Sequence, residues 1–184
     1  MGKVRPLTGV ERFFDENDVI VSKTDLKGRV TYANPTFLHI AGYAEEEILG
    51  QPHSIIRHPH MPRSVFKLLW DTIAAGHEIF GYVINRAKNG DHYWVYAHVT
   101  PSYDTVGTCV GYHSNRRVPA RSVIDATIAP LYRALCEEEA HHVNGKEQLA
   151  AGSRMLEAAI AASGLAYDEF IASLTADGDR REAA

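Results

Sequence analysis

The spacing of apolar positions changes character several times along the chain. Val19–Val21 and RVTYA (29–33) are rich in β-branched and aromatic residues and flank DLKG (25–28), which predicts a strand, a turn and a strand. The spacing then becomes helical in short pieces. Asn34 before Pro35 supplies an N-cap and a first helical residue for FLHIAG, which ends at Gly42, and AEEEIL runs to Gly50. In PRSVFKLLWDTIAAG, Val65, Leu69, Trp70 and Ile73 recur at helical spacing until Gly76. A period of two returns in IFGYVINR (79–86), HYWVYAHVT (92–100) and TCVGYHSNR (108–116). The KNGD turn between the first two favours a hairpin through Asn89-Gly90. Parity puts Tyr93, Val95, Ala97 and Val99 on one face of their strand, and Trp94 and Tyr96 on the other.

Two strands, several short helices and three more strands predict an α+β domain, an antiparallel sheet with helices gathered on one face. At the N-terminus, TGVE (8–11) reads as a capping box ahead of Phe13 and Phe14. It predicts a short amphipathic helix within residues 1–17, its Val10, Phe13 and Phe14 covering the outer sheet face or a second subunit. From about residue 121 the strand signals vanish. Ile124, Ile128, Leu131 and Leu135 form one helical stripe, Leu149, Leu156 and Ile160 a second, and Tyr167, Phe170, Ile171 and Leu174 a third. Pro130 falls inside the first stripe, so that helix either kinks there or starts later. The predicted divisions are 1–17, 18–119 and 120–184.

Composition narrows the functional classes. The chain has 184 residues, 45% of them hydrophobic, and a formal charge of −4, so it has a core but no basic field for a nucleic-acid backbone. Every apolar run is interrupted before the roughly 20 residues that a spanning helix needs. Two cysteines, Cys109 and Cys136, are too few for a disulfide framework, and a cytoplasmic protein is expected. Acidic residues are scattered, no local motif suggests a Ser-His-Asp or Cys-His set, and no glycine loop fits a phosphate, so a non-enzyme is expected. His141-His142 are adjacent on a helix and point about 100° apart, which fits a solvated face better than a metal site.

QPHSIIRHPHMPR (51–63) stands apart. Pro52, Pro59 and Pro62 deny it a long helix, so His53, Arg57, His58 and His60 are held by loop or single-turn geometry. From the residues alone Arg57 and His58 either hold a ligand or cap helices in solvent, and His53 and His60 fit a surface position. With Asn34-Pro35, Phe37, Gly42-Tyr43, Glu47-Ile48-Leu49-Gly50, FKLLWDTIAAG, NRAKNGDHYWV and GYHSNRR in this order, the chain from about Leu7 to Pro119 resembles PAS sensor domains, and among them those of bacterial aerotaxis receptors.

The resemblance implies a PAS fold, a five-stranded antiparallel sheet in the order 2-1-5-4-3, followed here by a C-terminal helical extension. It implies an inner pocket for FAD beside Arg57 and His58, with Asn34, Tyr93 and an aromatic at Trp70 or Phe80 near it. His60 stands where similar domains usually carry an acid, and Phe80 where they carry Trp. In light-sensing LOV domains, which look similar over the last strands, an Asn and a Gln face the flavin; Asn85 and His113 occupy those positions, His113 being either a flavin contact or a satisfied core histidine. The reactive Cys of LOV domains has no counterpart in IIRHPH, which excludes a cysteinyl photoadduct. The implied function is a soluble redox or oxygen sensor, a homodimer without membrane insertion, signalling to a chemoreceptor or kinase pathway component. A haem sensor using His53, His58 or His60, and a cofactor-free interaction module, are the alternatives.

Overall fold

Alternating segments joined by tight turns pair into one antiparallel sheet. The structure is a computed structural model that describes residues 5–182, with the side chains of 179–182 left aside. Its strands are β1 (Ile20–Thr24), β2 (Val30–Ala33), β3 (Ile79–Arg86), β4 (His92–Tyr103) and β5 (Cys109–Arg117), in the order β2-β1-β5-β4-β3. Asp25 and Asp104 nucleate two of the turns, each accepting backbone N–H groups two and four residues on. Pairing of β1 with β5 then closes the sheet across the whole length of the domain, with Ser22 opposite Ser114 and Ile20 opposite Arg116.

The register fixes the faces, because directly paired residues point the same way. Asn85 pairs with Tyr93 and Gly81 with Ala97; Ala97 pairs with Arg116 and Val99 with Ser114. The inner face therefore carries Ile20, Ser22, Asn85, Tyr93, Ala97, Ser114 and Arg116. The helices α1 (Pro35–Ala41) and α2 (Glu45–Ile48) and a 3-10 turn (His53–Ile56) bring Phe37, Ile48 and Ile56, all essentially fully buried. Burying each such side chain contributes on the order of 2 kcal/mol. α1 starts as its sequence predicts, capped by Asn34, and stops where Gly42 turns to φ 72°.

The predicted N-terminal helix does not form. Residues 1–4 lie outside the described residues, and from Arg5 to Asn17 the chain is not helical. Gly9 has φ 75°, and the Thr8 hydroxyl bonds the Asp91 carboxylate. The backbone prefers β4: His92 donates to Val10, and Arg12 donates to His92. Arg12 also reaches Asp91 and the Ile40 carbonyl, so the segment is a strap between the β3–β4 turn and α1. Phe13 is left 73% exposed instead of lining a buried helical stripe.

The chain divides into two compact units. One comprises residues up to His58 with Ile73–Val118; the other comprises Pro59–Thr72 and the chain from Pro119. One boundary between them falls between Val118 and Pro119, and residues 59–72 group with the C-terminal helices. That second unit contains most of α3 (Arg63–Ala74), then α4 (Arg121–Val123), a π-helical turn (Ile124–Ile128), α5 (Ala129–Ala140), α6 (Gly145–Ala162) and α7 (Tyr167–Glu182). Ile124, Ile128, Leu135, Leu156 and Ile171 of the predicted stripes are buried. The helical stretch begins at Arg121, ahead of Pro130, and carries a π turn just before the proline, where the wider coil accommodates its ring. Among the described residues no helix is long and apolar enough to cross a membrane.

The strap has a defined acid limit. The Thr8 hydroxyl first, then the Arg12 guanidinium and the Asn89 amide, hold Asp91 down at about 2. A carboxyl with a depressed folded value stabilises the strap above its unfolded pKa of about 4 and loses that contribution as pH falls towards 2. Backbone NMR signals of residues 8–12 should stay native-like down to about pH 4 and move towards random-coil positions below it, and Asp91→Ala should show the loosened strap already at pH 7. Signals unchanged at pH 2 would contradict this account.

Candidate functional site

The inner sheet face is crossed by one segment. Gly50 donates to Val30, Val30 donates to Gln51, and Arg29 bridges Pro52, so this end lies along β2, one edge of the sheet. Arg57 forms a bridge with Asn85 on β3, the other edge. Between them the 3-10 turn carries His53 and Ile56 inward. The prolines noted in the sequence are what keep this crossing from winding into a longer helix.

Beneath it sits Arg116, 4% exposed. Its Nη2 donates to Ser22 Oγ at 2.8 Å and to His53 Nε2 at 2.7 Å, and its Cζ lies 5.6 Å from the centre of the Phe37 ring. No carboxylate is among these partners. Burial pulls Arg116 down to about 10, still charged at neutral pH. Burial, and then the Arg116 charge, hold His53 down at about 3, so its ring is neutral and its Nε2 is an acceptor. Burial also raises the Tyr93 phenol well above its ordinary value, which keeps it a neutral hydroxyl.

Among the described residues, five buried polar atoms on this face have no hydrogen-bond partner: Thr24 Oγ1, Asn85 Nδ2, Tyr93 OH, Ser114 Oγ and Arg116 Nη1. Leaving a buried polar group unsatisfied costs about 1–3 kcal/mol. Five of them would cost about as much as the 5–15 kcal/mol that holds a typical domain together. The face is therefore built for a polar occupant, either a ligand or ordered water. Two of the atoms are pure donors and the other three are hydroxyls that can donate, so an occupant rich in acceptors fits them.

The structure sorts the sequence-predicted residues. Asn85 and Tyr93 are inside, 3% and 0% exposed, and supply two of the unpartnered atoms. Arg57 is half-buried beside Asn85 through its backbone bridge, and His58 is buried with its ring 5.6 Å from that of His92. Asn34 is engaged elsewhere: its Oδ1 accepts from Val21 and Phe37, and its Nδ2 donates to Val19. It pins α1 to β1.

His113 does not face the pocket. It pairs with Thr100, on the face opposite Val99 and Ser114, and its Nε2 meets Asn115 Oδ1 at 2.9 Å. Phe80 also lies outside, 36% exposed and stacked on His98 at 4.1 Å. His60 and Trp70 belong to the other compact unit, His60 exposed and Trp70 half-buried. The residues that sequence reasoning missed are Ser114 and Arg116, on the neighbouring parity of β5; His53, expected at the surface or as a haem ligand, has its ring nitrogen held by Arg116.

Comparison with known proteins fits this architecture. Residues 30–116 match the family model described as PAS fold. The chain is 42% identical over 120 residues to the aerotaxis receptor of Escherichia coli, covering 65% of this chain and 23% of the receptor. It is 29% identical over 103 residues to a nitrogen fixation regulatory protein of Klebsiella pneumoniae, covering 56% and 21%. Both relatives are far longer than the part matched. Among solved structures, a light-oxygen-voltage domain studied with a flavin analogue superposes with TM-score 0.54 at 19% identity, over 63% of this chain and 87% of that one. The light state of the blue-light photoreceptor Aureochrome1 gives 0.52 at 21%, over 62% and 91%. These two show the fold.

The coupling of Arg116 and His53 is measurable. A histidine depressed in the folded state contributes stability above its unfolded pKa of about 6.5 and loses it progressively as pH falls towards 3. An NMR titration should find the His53 ring neutral throughout pH 5–8. In Arg116→Met its pKa should rise but stay below 6.5, because burial is the larger cause. A His53 that titrates near 6.5 in the unaltered protein would remove the proposed network.

Proposed function

Since this chain carries a PAS sensor domain of the aerotaxis-receptor type, we propose that its inner sheet face binds FAD noncovalently and that the protein is a redox sensor acting on a partner protein. The observation that carries this reading is the set of unpartnered donors on Asn85, Tyr93, Ser114 and Arg116. An isoalloxazine edge presents carbonyl oxygens and ring nitrogens in a plane, the acceptors such a set lacks. Arg116 contributes a fixed fork of donors, one arm of which is already oriented by Ser22 and His53. Arg57 stands at the rim beside Asn85, where a charged group suits the phosphate end of a dinucleotide.

Flavin supplies the electron chemistry when bound; the protein supplies position and hydrogen bonds. Asn85 can turn either its amide N–H or its carbonyl inward, so a change of protonation in the ligand has a partner that can follow it. Tyr93, held neutral by burial, can donate or accept in the same way. Segment 53–58 contains no cysteine, which favours redox sensing over a light-driven adduct. The partner is a component of a chemotaxis or related signalling pathway, and the sensor is a cytoplasmic homodimer and not a catalyst. The partly exposed aromatic stripe of Phe80, Tyr96 and His98 on the outer face favours that self-association.

The absorption spectrum of the purified protein tests the cofactor. A flavin gives a band near about 450 nm, and chromatography of the released cofactor separates FAD from FMN; a haem would instead absorb near about 400 nm. Asn85→Ala and Arg116→Met should each weaken flavin binding by about tenfold or more, the cost of one or two lost hydrogen bonds in a dry site, while Phe80→Ala and His113→Ala should not. A folded protein that takes up neither FAD nor FMN would sink the proposal.

A further inference from the structure

Within the second unit, one buried carboxylate holds the start of a distant helix. Glu139 of α5 is 6% exposed. Its Oε2 accepts from the Arg63 backbone N–H at 2.9 Å, and its Oε1 accepts from the Ser64 N–H at 2.9 Å and the Ser64 hydroxyl at 2.8 Å. These are the first N–H groups of α3, which have no partner inside their own helix. Pro62 precedes them and provides no donor. A buried charge is tolerated only when its lone pairs are met, and a helix N-terminus meets them with aligned dipoles. The Arg63 guanidinium donates to Gln148 on α6.

A second observation shows that the packing is shaped to this contact. Gly152 lies inside α6, where glycine is disfavoured by about 1 kcal/mol relative to alanine. A Cβ there would stand 2.6 Å from Glu139 Oε1 and 2.9 Å from Ser64 Oγ. α3, α5 and α6 thus meet at one point that admits no side chain. One turn before Glu139, the Cys136 thiol donates to the His60 carbonyl at 3.5 Å.

The chain itself carries the consequence. Arg57, bridged to Asn85, and Arg63, held by Glu139, are joined by His58-Pro59-His60-Met61-Pro62. Two prolines fix φ in this tether, and residue 58 is restricted by the proline after it, so movement at one end is passed to the other rather than absorbed. We propose that Glu139 is the latch through which the C-terminal helices sense the segment covering the inner sheet face, so that loosening either end loosens the other. Coupling between two sites is reciprocal. The latch rests on the proposed flavin reading only for its effect on ligand affinity.

The test is hydrogen exchange on the full chain, comparing unaltered protein with Glu139→Ala and the milder Glu139→Gln. Loss of the cap should speed exchange at residues 63–66 by about tenfold. The latch requires, in addition, faster exchange across 53–58, with residues 92–103 of β4 unchanged as the internal control. If residues 63–66 respond and 53–58 do not, Glu139 is a helix cap alone and the proposal is overturned. If Glu139→Ala also exposes β4, Glu139→Gln is decisive by the same criterion. A parallel FAD titration should show weaker binding in Glu139→Ala. Equal affinity would overturn the reciprocity, whereas absence of FAD binding in the unaltered protein would refute the cofactor reading and leave the exchange result to decide the latch.

Discussion

A guanidinium buried on a sheet face and met by a hydroxyl, an imidazole and an aromatic ring rather than a carboxylate constrains everything around it. Removing such a group from water costs several kcal/mol. Arg116 recovers part of that through Ser22, His53 and Phe37, and keeps Nη1 without a hydrogen-bond partner. The geometry follows from topology. β5 lies between β1 and β4 at the centre of the sheet, so its inward residues Ser114 and Arg116 are buried with a strand on either side. Ser22, opposite Ser114 on β1, and the crossing segment that begins along β2 are then placed to serve the same guanidinium. The proposed ligand site is thus the point at which both edges and the centre of the sheet are tied together.

The two compact units solve a similar problem in different ways. In the first, Asp91 gathers Thr8, Arg12 and Asn89 at a partly exposed turn, where each bond is individually modest and easily released. In the second, Glu139 is buried, and its three donors come from a helix start more than seventy residues earlier in the chain. Burial makes the second contact harder to break and more consequential when broken, which is the property a transmitting contact needs.

The strands and short helices were legible because their signals are local. Asn34-Pro35, Gly42, the Asn-Gly turn and the inward set Tyr93, Val95, Ala97 and Val99 all appear where the sequence places them. Asn85, which the resemblance to LOV domains implies, lies inward too, because the short hairpin turn fixes its pairing with Tyr93. His113 failed for the opposite reason. The β4–β5 connection carries a register shift between Ser102 and Tyr103, and no local signal reveals which parity of β5 faces inward. Arg116 was concealed by its type, since an arginine near a strand end usually marks solvent. The N-terminal capping box was a true pattern with the wrong partner: Thr8 found Asp91, eighty-three residues away, before it could cap a helix. Glu139 was illegible for a similar reason, its partners being remote in sequence.

The central claim is that the unpartnered polar atoms of the inner sheet face are where the ligand sits. Side-chain NMR of the protein titrated with FAD addresses it directly, because Asn85 Nδ2 and the Arg116 guanidinium have resolvable N–H signals on that face, while the His98 and His113 rings report the other. The account predicts that FAD shifts the Asn85 and Arg116 signals strongly and leaves His98 and His113 unmoved. Shifts confined to His98 and His113, with Asn85 and Arg116 unchanged at saturation, would contradict it.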